Sequence, residues 1–101
     1  MNISIDFDHT YTADPKLWQS FIKEAQAAGH KIYCVSARHY WETAEVYSTI
    51  GKIIGLNSCY LTDKKAKRPF MEAKGIHIDI WIDDTPEAIL EDKYKYKSKN
   101  S

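Results

Sequence analysis

A chain of 101 residues has room for one domain with a single core, so a separate substrate-binding domain is not expected. Hydrophobic residues make up 44% and charged residues 28% of the sequence, which excludes a fully disordered protein. Lys plus Arg and Asp plus Glu number 14 each, so no net charge attracts the chain to nucleic acid or to a membrane. Without a signal peptide or a long apolar stretch, a cytoplasmic location is the expectation.

The first half of the chain alternates short apolar runs with helical patterns. Residues 3–7 predict a buried strand that ends in a polar loop. Asp14 followed by a proline is typical of a helix start, and the apolar spacing predicts a helix that ends near Gly29. Residues 31–36 predict a second strand, and a second helical pattern covers residues 44–55.

The second half repeats this alternation with shorter elements. Residues 58–61 predict a third strand, and Pro69 can begin a helix that ends at Gly75. Residues 78–82 predict a fourth strand, and Thr85 with the proline after it predicts a last helix.

Strands that alternate with helices favour a parallel sheet covered by helices on both faces. Residues 1–92 are therefore predicted to form one three-layer α/β/α, Rossmann-like domain with about four strands, and residues 93–101 a flexible basic tail. Lysines alternate with tyrosines in this tail, a pattern that can bind single-stranded nucleic acid but is more often a solvated chain end. Cys34 and Cys59 are expected to be buried free thiols. The three tryptophans, Trp18, Trp41 and Trp81, are expected in or near the core.

Residues that can carry chemistry fall where the predicted strands stop. The first strand stops at Asp6 and Asp8, the second at Ser36, and the fourth at Asp83 and Asp84. Parallel strands bring their carboxyl ends to one edge, where such sheets bind ligands. Crowded carboxylates repel one another unless a cation neutralises them, and oxygen ligands suit Mg²⁺. The sequence therefore predicts a Mg²⁺ site at this edge.

A carboxylate beside Mg²⁺ can attack phosphorus and form an aspartyl-phosphate, and a second carboxylate can protonate the leaving oxygen and later activate water. Hydroxyl groups of Thr10 and Ser36 and an amine from the lysine-rich loop can stabilise the charge on the phosphoryl oxygens. This chemistry points to a phosphomonoester hydrolase.

Four short motifs span nearly the whole chain: residues 3–10 (ISIDFDHT), Val35-Ser36, Lys67 and residues 81–84 (WIDD). In this order they resemble the four motifs of the haloacid dehalogenase-like superfamily, whose first motif is an apolar strand ending in DxDx[TV]. The resemblance is to small phosphatase-type members without a cap domain, because the loops after the first and third predicted strands are too short for an inserted cap.

The resemblance implies a Mg²⁺-dependent phosphatase with Asp6 as nucleophile and metal ligand. Asp8 would act as general acid and base and offer its backbone carbonyl to the metal. Asp83 would be a further ligand, and Asp84 a ligand through water or a support for the other ligands.

The same resemblance implies that Thr10 and Ser36 hold the transferred phosphoryl group and that Lys67 neutralises it, with Lys64 as the alternative lysine. His9 stands where the family usually has glycine, so its side chain would narrow the site or contact the substrate. Arg38 follows Ser36 at the mouth of the site, where it is either a substrate contact or an ordinary exposed residue.

The substrate class stays open between a small phosphate ester, with a homo-oligomer supplying a lid, and a bulkier substrate such as a polynucleotide end. Two other functions remain as alternatives. One is a receiver-like signalling module with a phosphorylated aspartate, although here the second acidic pair follows the fourth strand. The other is a catalytically retired module that binds metal or phosphate without turnover.

Overall fold

Four short strands lie side by side in one parallel sheet in the computed structural model, which describes residues 1–93. They are β1 (Asn2–Ile5), β2 (Lys31–Ser36), β3 (Cys59–Leu61) and β4 (Ile80–Ile82). The order across the sheet is β3-β2-β1-β4, so β1 is an inner strand between β2 and β4. The predicted α/β class and parallel sheet are confirmed.

Among the described residues, five α-helices connect or follow these strands: α1 (Pro15–Ala27), α2 (Ala44–Ser48), α3 (Ile50–Ile54), α4 (Lys67–Glu72) and α5 (Glu87–Leu90). The prediction of one continuous helix over residues 44–55 is wrong, because Thr49 leaves the helical conformation at φ −118° and ψ −99°. Its hydroxyl donates to the carbonyl oxygen of Glu45 at 2.6 Å, a local bond that competes with the helical pattern.

Helix α4 also departs from its prediction, since it begins at Lys67, two residues before Pro69. Proline is tolerated in the first turn of a helix, where its missing N–H has no intrahelical partner. The earlier start places Lys67 within the first turn of α4.

Helix α1 forms where the sequence predicts it. The Asp14 carboxylate accepts a hydrogen bond from the Leu17 backbone N–H at 3.3 Å, which caps the first turn. Ile22 and Ala25 are buried on the face that contacts the sheet, and Gly29 ends the segment at φ 88°.

Side chains of the strands contribute to two hydrophobic clusters. Ile3, Ile5 and Cys34 belong to the larger cluster with residues of α1 and α3. Val35, the next residue after Cys34, belongs to a smaller cluster with Met71 of α4. Because neighbouring residues of a strand point to opposite faces, apolar side chains are buried on both faces of β2.

The two cysteines are buried and free, as predicted, and Cys34 lies beside Cys59 in the β2–β3 register. Burial raises the pKa of both thiols. Trp18 and Trp81 are partly buried against the clusters, as predicted.

Two further predictions concern the chain end and membranes. The predicted basic tail lies outside the described residues except for Lys93. Among residues 1–93, no helix is long and apolar enough to cross a membrane.

Candidate active site

Three carboxylates meet at the carboxyl edge of the sheet. Asp6 directly follows β1, and its backbone N–H donates to the Ile82 carbonyl oxygen at 2.9 Å, which continues the pairing of β1 with β4. Asp83 and Asp84 directly follow β4. Carboxylate oxygens of the three aspartates lie within 4.8 Å of one another, and we call these residues the acidic cluster.

One ammonium group is buried against this cluster. Lys67 is 2% exposed, and its Nζ lies 2.8 Å from Asp6 Oδ1 and 2.5 Å from Asp83 Oδ2. Among residues 1–93, Lys67 pairs with Asp6 and Asp83. Carboxylates crowded in this way can also bind a divalent cation. The oxygen-only donor set of the cluster fits Mg²⁺.

The burial of these charges changes their proton affinities. Desolvation raises the pKa of Asp6 to about 7; the charge of Lys67 opposes this shift and that of Asp83 adds to it. Burial by itself would lower the pKa of Lys67, but the carboxylates of Asp6 and Asp83 outweigh it and the pKa is raised. Without a metal, Asp6 therefore titrates near neutral pH, while Lys67 stays charged.

Thr10 contacts the acidic cluster from the turn after β1. Its Oγ1 lies 3.3 Å from Asp6 Oδ2 and 3.3 Å from Asp84 Oδ1, and it accepts a hydrogen bond from the Asp84 backbone N–H at 3.2 Å. Because a hydroxyl carries one proton, Thr10 donates to one carboxylate at a time.

Ser36 is buried at the end of β2, the other neighbour of β1. Its hydroxyl oxygen accepts a hydrogen bond from the Arg38 backbone N–H at 3.2 Å. Ser36 thus lies at the same sheet edge as the cluster and orients the segment that carries Arg38.

The Asp8 carboxylate is turned toward Arg38. Arg38 Nε and Nη2 donate to its two oxygens at 2.9 and 2.8 Å, a bidentate ion pair, and the guanidinium also lies 5.0 Å from the centre of the Phe7 ring. Hydrogen bonds from Arg38 lower the pKa of Asp8, and the same pair raises the pKa of Arg38. Sequence reasoning named both residues but missed their pairing, which depends on the folding of the two loops.

The turn at Phe7–Tyr11 places His9 in a backbone conformation that favours glycine. His9 has φ 63°, a left-handed conformation that glycine adopts without steric cost. Its backbone N–H donates to Thr12 Oγ1 at 3.0 Å, and its side chain is exposed. The histidine therefore occupies a glycine-like conformation at the rim of the site.

Lys67, and not Lys64, contacts the acidic cluster in the structure. Lys64 lies in the loop after β3, where its backbone N–H donates to the Ala37 carbonyl oxygen at 3.0 Å. Its side chain is close to Lys93, whose charge adds to burial in lowering the pKa of Lys64.

The prediction that Trp41 packs in or near the core is wrong, since it is 61% exposed in the loop after β2. The adjacent Tyr40 is 67% exposed. A feature of the sequence could have predicted this exposure, because the two aromatic residues lie in a polar stretch, ARHYWET, outside a helical apolar face.

Comparison of the chain with protein-family models, with curated proteins and with solved structures found no match. Any function assigned to this chain therefore rests on the chemistry of its own residues.

Proposed function

We propose that this chain is a Mg²⁺-dependent phosphomonoester hydrolase that forms an aspartyl-phosphate on Asp6. The observation that carries the proposal is the acidic cluster at the sheet edge with the buried Lys67 against Asp6 and Asp83. The order of the four motifs along the chain supports it, because each motif contributes a residue to this edge.

The proposed fold is a three-layer, haloacid dehalogenase-like domain without a cap. The neighbouring β2 residues Cys34 and Val35 belong to different hydrophobic clusters, which supports helices on both faces of the sheet. The short connections from β1 to α1 and from β3 to α4 support an uncovered site.

Asp6, Asp83 and Asp84 would hold the metal, with the backbone carbonyl of Asp8 as the further ligand implied by the family resemblance. When bound, Mg²⁺ supplies positive charge for the phosphoryl oxygens and for the crowded carboxylates.

In the proposed reaction, an Asp6 oxygen bonds to phosphorus as the bond from phosphorus to the leaving oxygen breaks. Lys67 and Thr10 hold the phosphoryl group, and Asp8 gives the leaving oxygen its proton. Asp8 then takes a proton from the water that hydrolyses the aspartyl-phosphate, which releases inorganic phosphate and restores Asp6.

The ion pair with Arg38 bears on this role of Asp8. Since Arg38 lowers the pKa of Asp8, protonation of Asp8 requires the pair to loosen. A phosphate group that approaches Arg38 competes for the guanidinium, so substrate binding itself can loosen the pair.

The same pair favours one alternative, a module that binds metal and phosphate without turnover. In such a module the Asp8–Arg38 pair would persist, and no acid would be available to the leaving group. The receiver-like alternative has less support, because Asp63, the aspartate after β3, lies outside the acidic cluster, and its Oδ1 is 2.6 Å from His39 Nδ1.

The test is hydrolysis of p-nitrophenyl phosphate with Mg²⁺, with EDTA, and with Asp6→Asn. We expect EDTA to abolish turnover and Asp6→Asn to lower it by at least about 100-fold, because the amide is a far weaker nucleophile than the carboxylate. Asp79→Asn is the matched control, since Asp79 precedes β4 at the opposite edge of the sheet.

Turnover that survives Asp6→Asn would contradict the proposed nucleophile. A folded protein that binds Mg²⁺ and phosphate but hydrolyses no phosphate ester would favour the module without turnover.

A further inference from the structure

Two loops beyond the carboxyl ends of β2 and β3 are joined by backbone hydrogen bonds. The backbone N–H groups of Thr62, Asp63 and Lys64 donate to carbonyl oxygens of residues 36–38 at 2.8 to 3.0 Å. The first bond adjoins the β2–β3 pairing, and the other two join the turn at Asp63 and Lys64 to the loop after β2. The two loops lie beyond the edge of the sheet that carries the acidic cluster. We call residues 37–42 with residues 62–64 the aromatic wall.

The exposed rings of this wall are held in place. The His39 ring stacks on Trp41 with centroids 4.4 Å apart and an interplanar angle of 2°, and Tyr40 meets Trp41 edge-on at 5.0 Å. His39 Nδ1 lies 2.6 Å from Asp63 Oδ1, and the His39 backbone N–H donates to Glu42 at 2.9 Å. Although anchored in this way, Trp41 and Tyr40 keep 61% and 67% of their surfaces exposed.

Three basic residues belong to the aromatic wall or are bonded to it: Arg38, Lys64 and Lys93. Arg38 precedes His39 in the chain and reaches Asp8 of the active-site turn. The backbone N–H of Lys93 donates to the Lys64 carbonyl oxygen at 2.8 Å, and the two ammonium groups are close enough for Lys93 to lower the pKa of Lys64. Two ammonium groups close to each other attract an anion, because its charge offsets their repulsion.

We propose that the aromatic wall binds the heterocyclic base of a phosphorylated nucleotide whose phosphate is hydrolysed at Asp6. This inference rests on the proposed function and names its substrate class. A base has a planar π-face that can stack on Trp41 or Tyr40, and it is linked to the phosphate that the acidic cluster would take. A simple sugar phosphate lacks such a π-face. Arg38 connects the two parts, since its side chain lies at Asp8 and its backbone in the wall.

The base can come from two sources, a free mononucleotide or the phosphorylated end of a nucleic-acid strand. Both present the same base and phosphate to the site. They differ in the neighbouring phosphodiester groups, which only a strand offers to Lys64 and Lys93.

The test measures binding by calorimetry to the Asp6→Asn protein in Mg²⁺, which retains the substrate unhydrolysed. The ligands are 5′-AMP, ribose 5-phosphate and a short single-stranded oligonucleotide with a terminal phosphate. In this background Trp41→Ala should weaken 5′-AMP binding about 5- to 150-fold and leave ribose 5-phosphate binding unchanged. Trp41→Phe should retain most of the affinity, because it keeps an aromatic face.

Leu56→Ala is the matched control, since Leu56 is also half exposed but lies just before β3, at the opposite edge of the sheet. It should leave all three affinities unchanged. Circular dichroism checks that each variant is folded, which the exposure of Trp41 leads us to expect.

The inference is overturned if 5′-AMP binds no more tightly than ribose 5-phosphate, or if Trp41→Ala weakens both ligands equally. An oligonucleotide that binds more tightly than 5′-AMP, by a margin that Lys64→Ala reduces, identifies a strand end; equal or weaker binding identifies the mononucleotide. Binding of 5′-AMP that depends on Trp41, without turnover of any ester, would refute the hydrolase and leave the base site standing. Turnover that depends on Asp6, without a preference for bases, would refute the base site and leave the hydrolase proposal standing.

Discussion

Asp6 and Asp8 are two residues apart, but they occupy opposite electrostatic environments. Asp6 is buried beside Asp83, Asp84 and Lys67, and its pKa is raised to about 7. Asp8 is half exposed and paired with Arg38, and its pKa is lowered. Ionisation of Asp6 therefore lowers the free energy of unfolding, whereas ionisation of Asp8 raises it. Both effects can be tested without knowledge of the substrate.

Asp6→Asn should stabilise the metal-free protein at pH 8. The folded-state pKa of about 7 lies above the ordinary value of 3.8, so the stability contributed by protonated Asp6 is present at low pH and is lost as pH rises through 7. The asparagine avoids this ionisation cost, and we expect a gain of roughly 1–3 kcal/mol at pH 8 that narrows toward pH 5. Urea unfolding in EDTA at both pH values measures it, and a gain independent of pH would contradict the assignment.

Asp8→Asn serves as the contrasting variant in the same experiment. Because the pKa of Asp8 is depressed, its ion pair stabilises the fold above the ordinary value of 3.8, and this stability is lost as pH falls through the lower folded-state value. Asp8→Asn should therefore be less stable than the wild type at both pH 5 and pH 8. The loss of stability in Asp8→Asn should be small, since the Asp8 side chain is 44% exposed and solvent screens its ion pair with Arg38.

At the scale of elements, α1 and α4 hold the candidate active site. The Trp18 indole N–H of α1 donates to the Thr10 carbonyl oxygen at 2.8 Å, which fixes the turn that carries Thr10 to the acidic cluster. Helix α4 carries Lys67 in its first turn. The start of each helix therefore affects the position of a site residue.

Asp14→Ala should lower the free energy of unfolding by about 1 kcal/mol, because it removes the side-chain acceptor of the Leu17 N–H at the start of α1. Asp14→Ser, which keeps an N-cap oxygen, should retain most of the stability. Urea unfolding at pH 7 compares the variants, and an equal loss in both would show that the cap does not account for the effect.

At the scale of the whole molecule, the sheet brings together residues that are far apart in sequence. Asp6 and Asp83 meet because β1 and β4, the first and last strands within residues 1–93, are neighbours in the order β3-β2-β1-β4. Lys67 reaches them from α4, which precedes β4 in the chain. A metal bound to this cluster would thus link the two ends of the domain.

Mg²⁺ should raise the free energy of unfolding of the wild type. A ligand that binds only the folded state stabilises it by RT ln(1 + [L]/Kd), which is about 1.4 kcal/mol at ten times Kd. The increment between EDTA and 10 mM Mg²⁺, measured by urea unfolding, should be lost in Asp83→Asn and kept in Asp79→Asn. An equal increment in all three proteins would place the bound ion outside the acidic cluster.

Much of the fold follows from local patterns. Apolar runs and caps predict four strands and most helices, and parallel strands bring Asp6, Asp83 and Asp84 to one edge wherever the strands lie in the sheet. Helix boundaries were less predictable, since the backbone of Thr49 interrupts one helical pattern and Pro69 is accommodated inside the first turn of α4.

The sequence by itself therefore determined the α/β class, the parallel sheet and the aspartates at its edge, because periodicity and strand ends are local properties of the chain. Only the tertiary structure decided that Lys67 contacts the acidic cluster, that Asp8 pairs with Arg38, and that Trp41 is exposed on the wall. These contacts depend on residues that are distant in sequence and on which charged groups and which solvent surround each side chain after folding. A local sequence pattern does not contain that information.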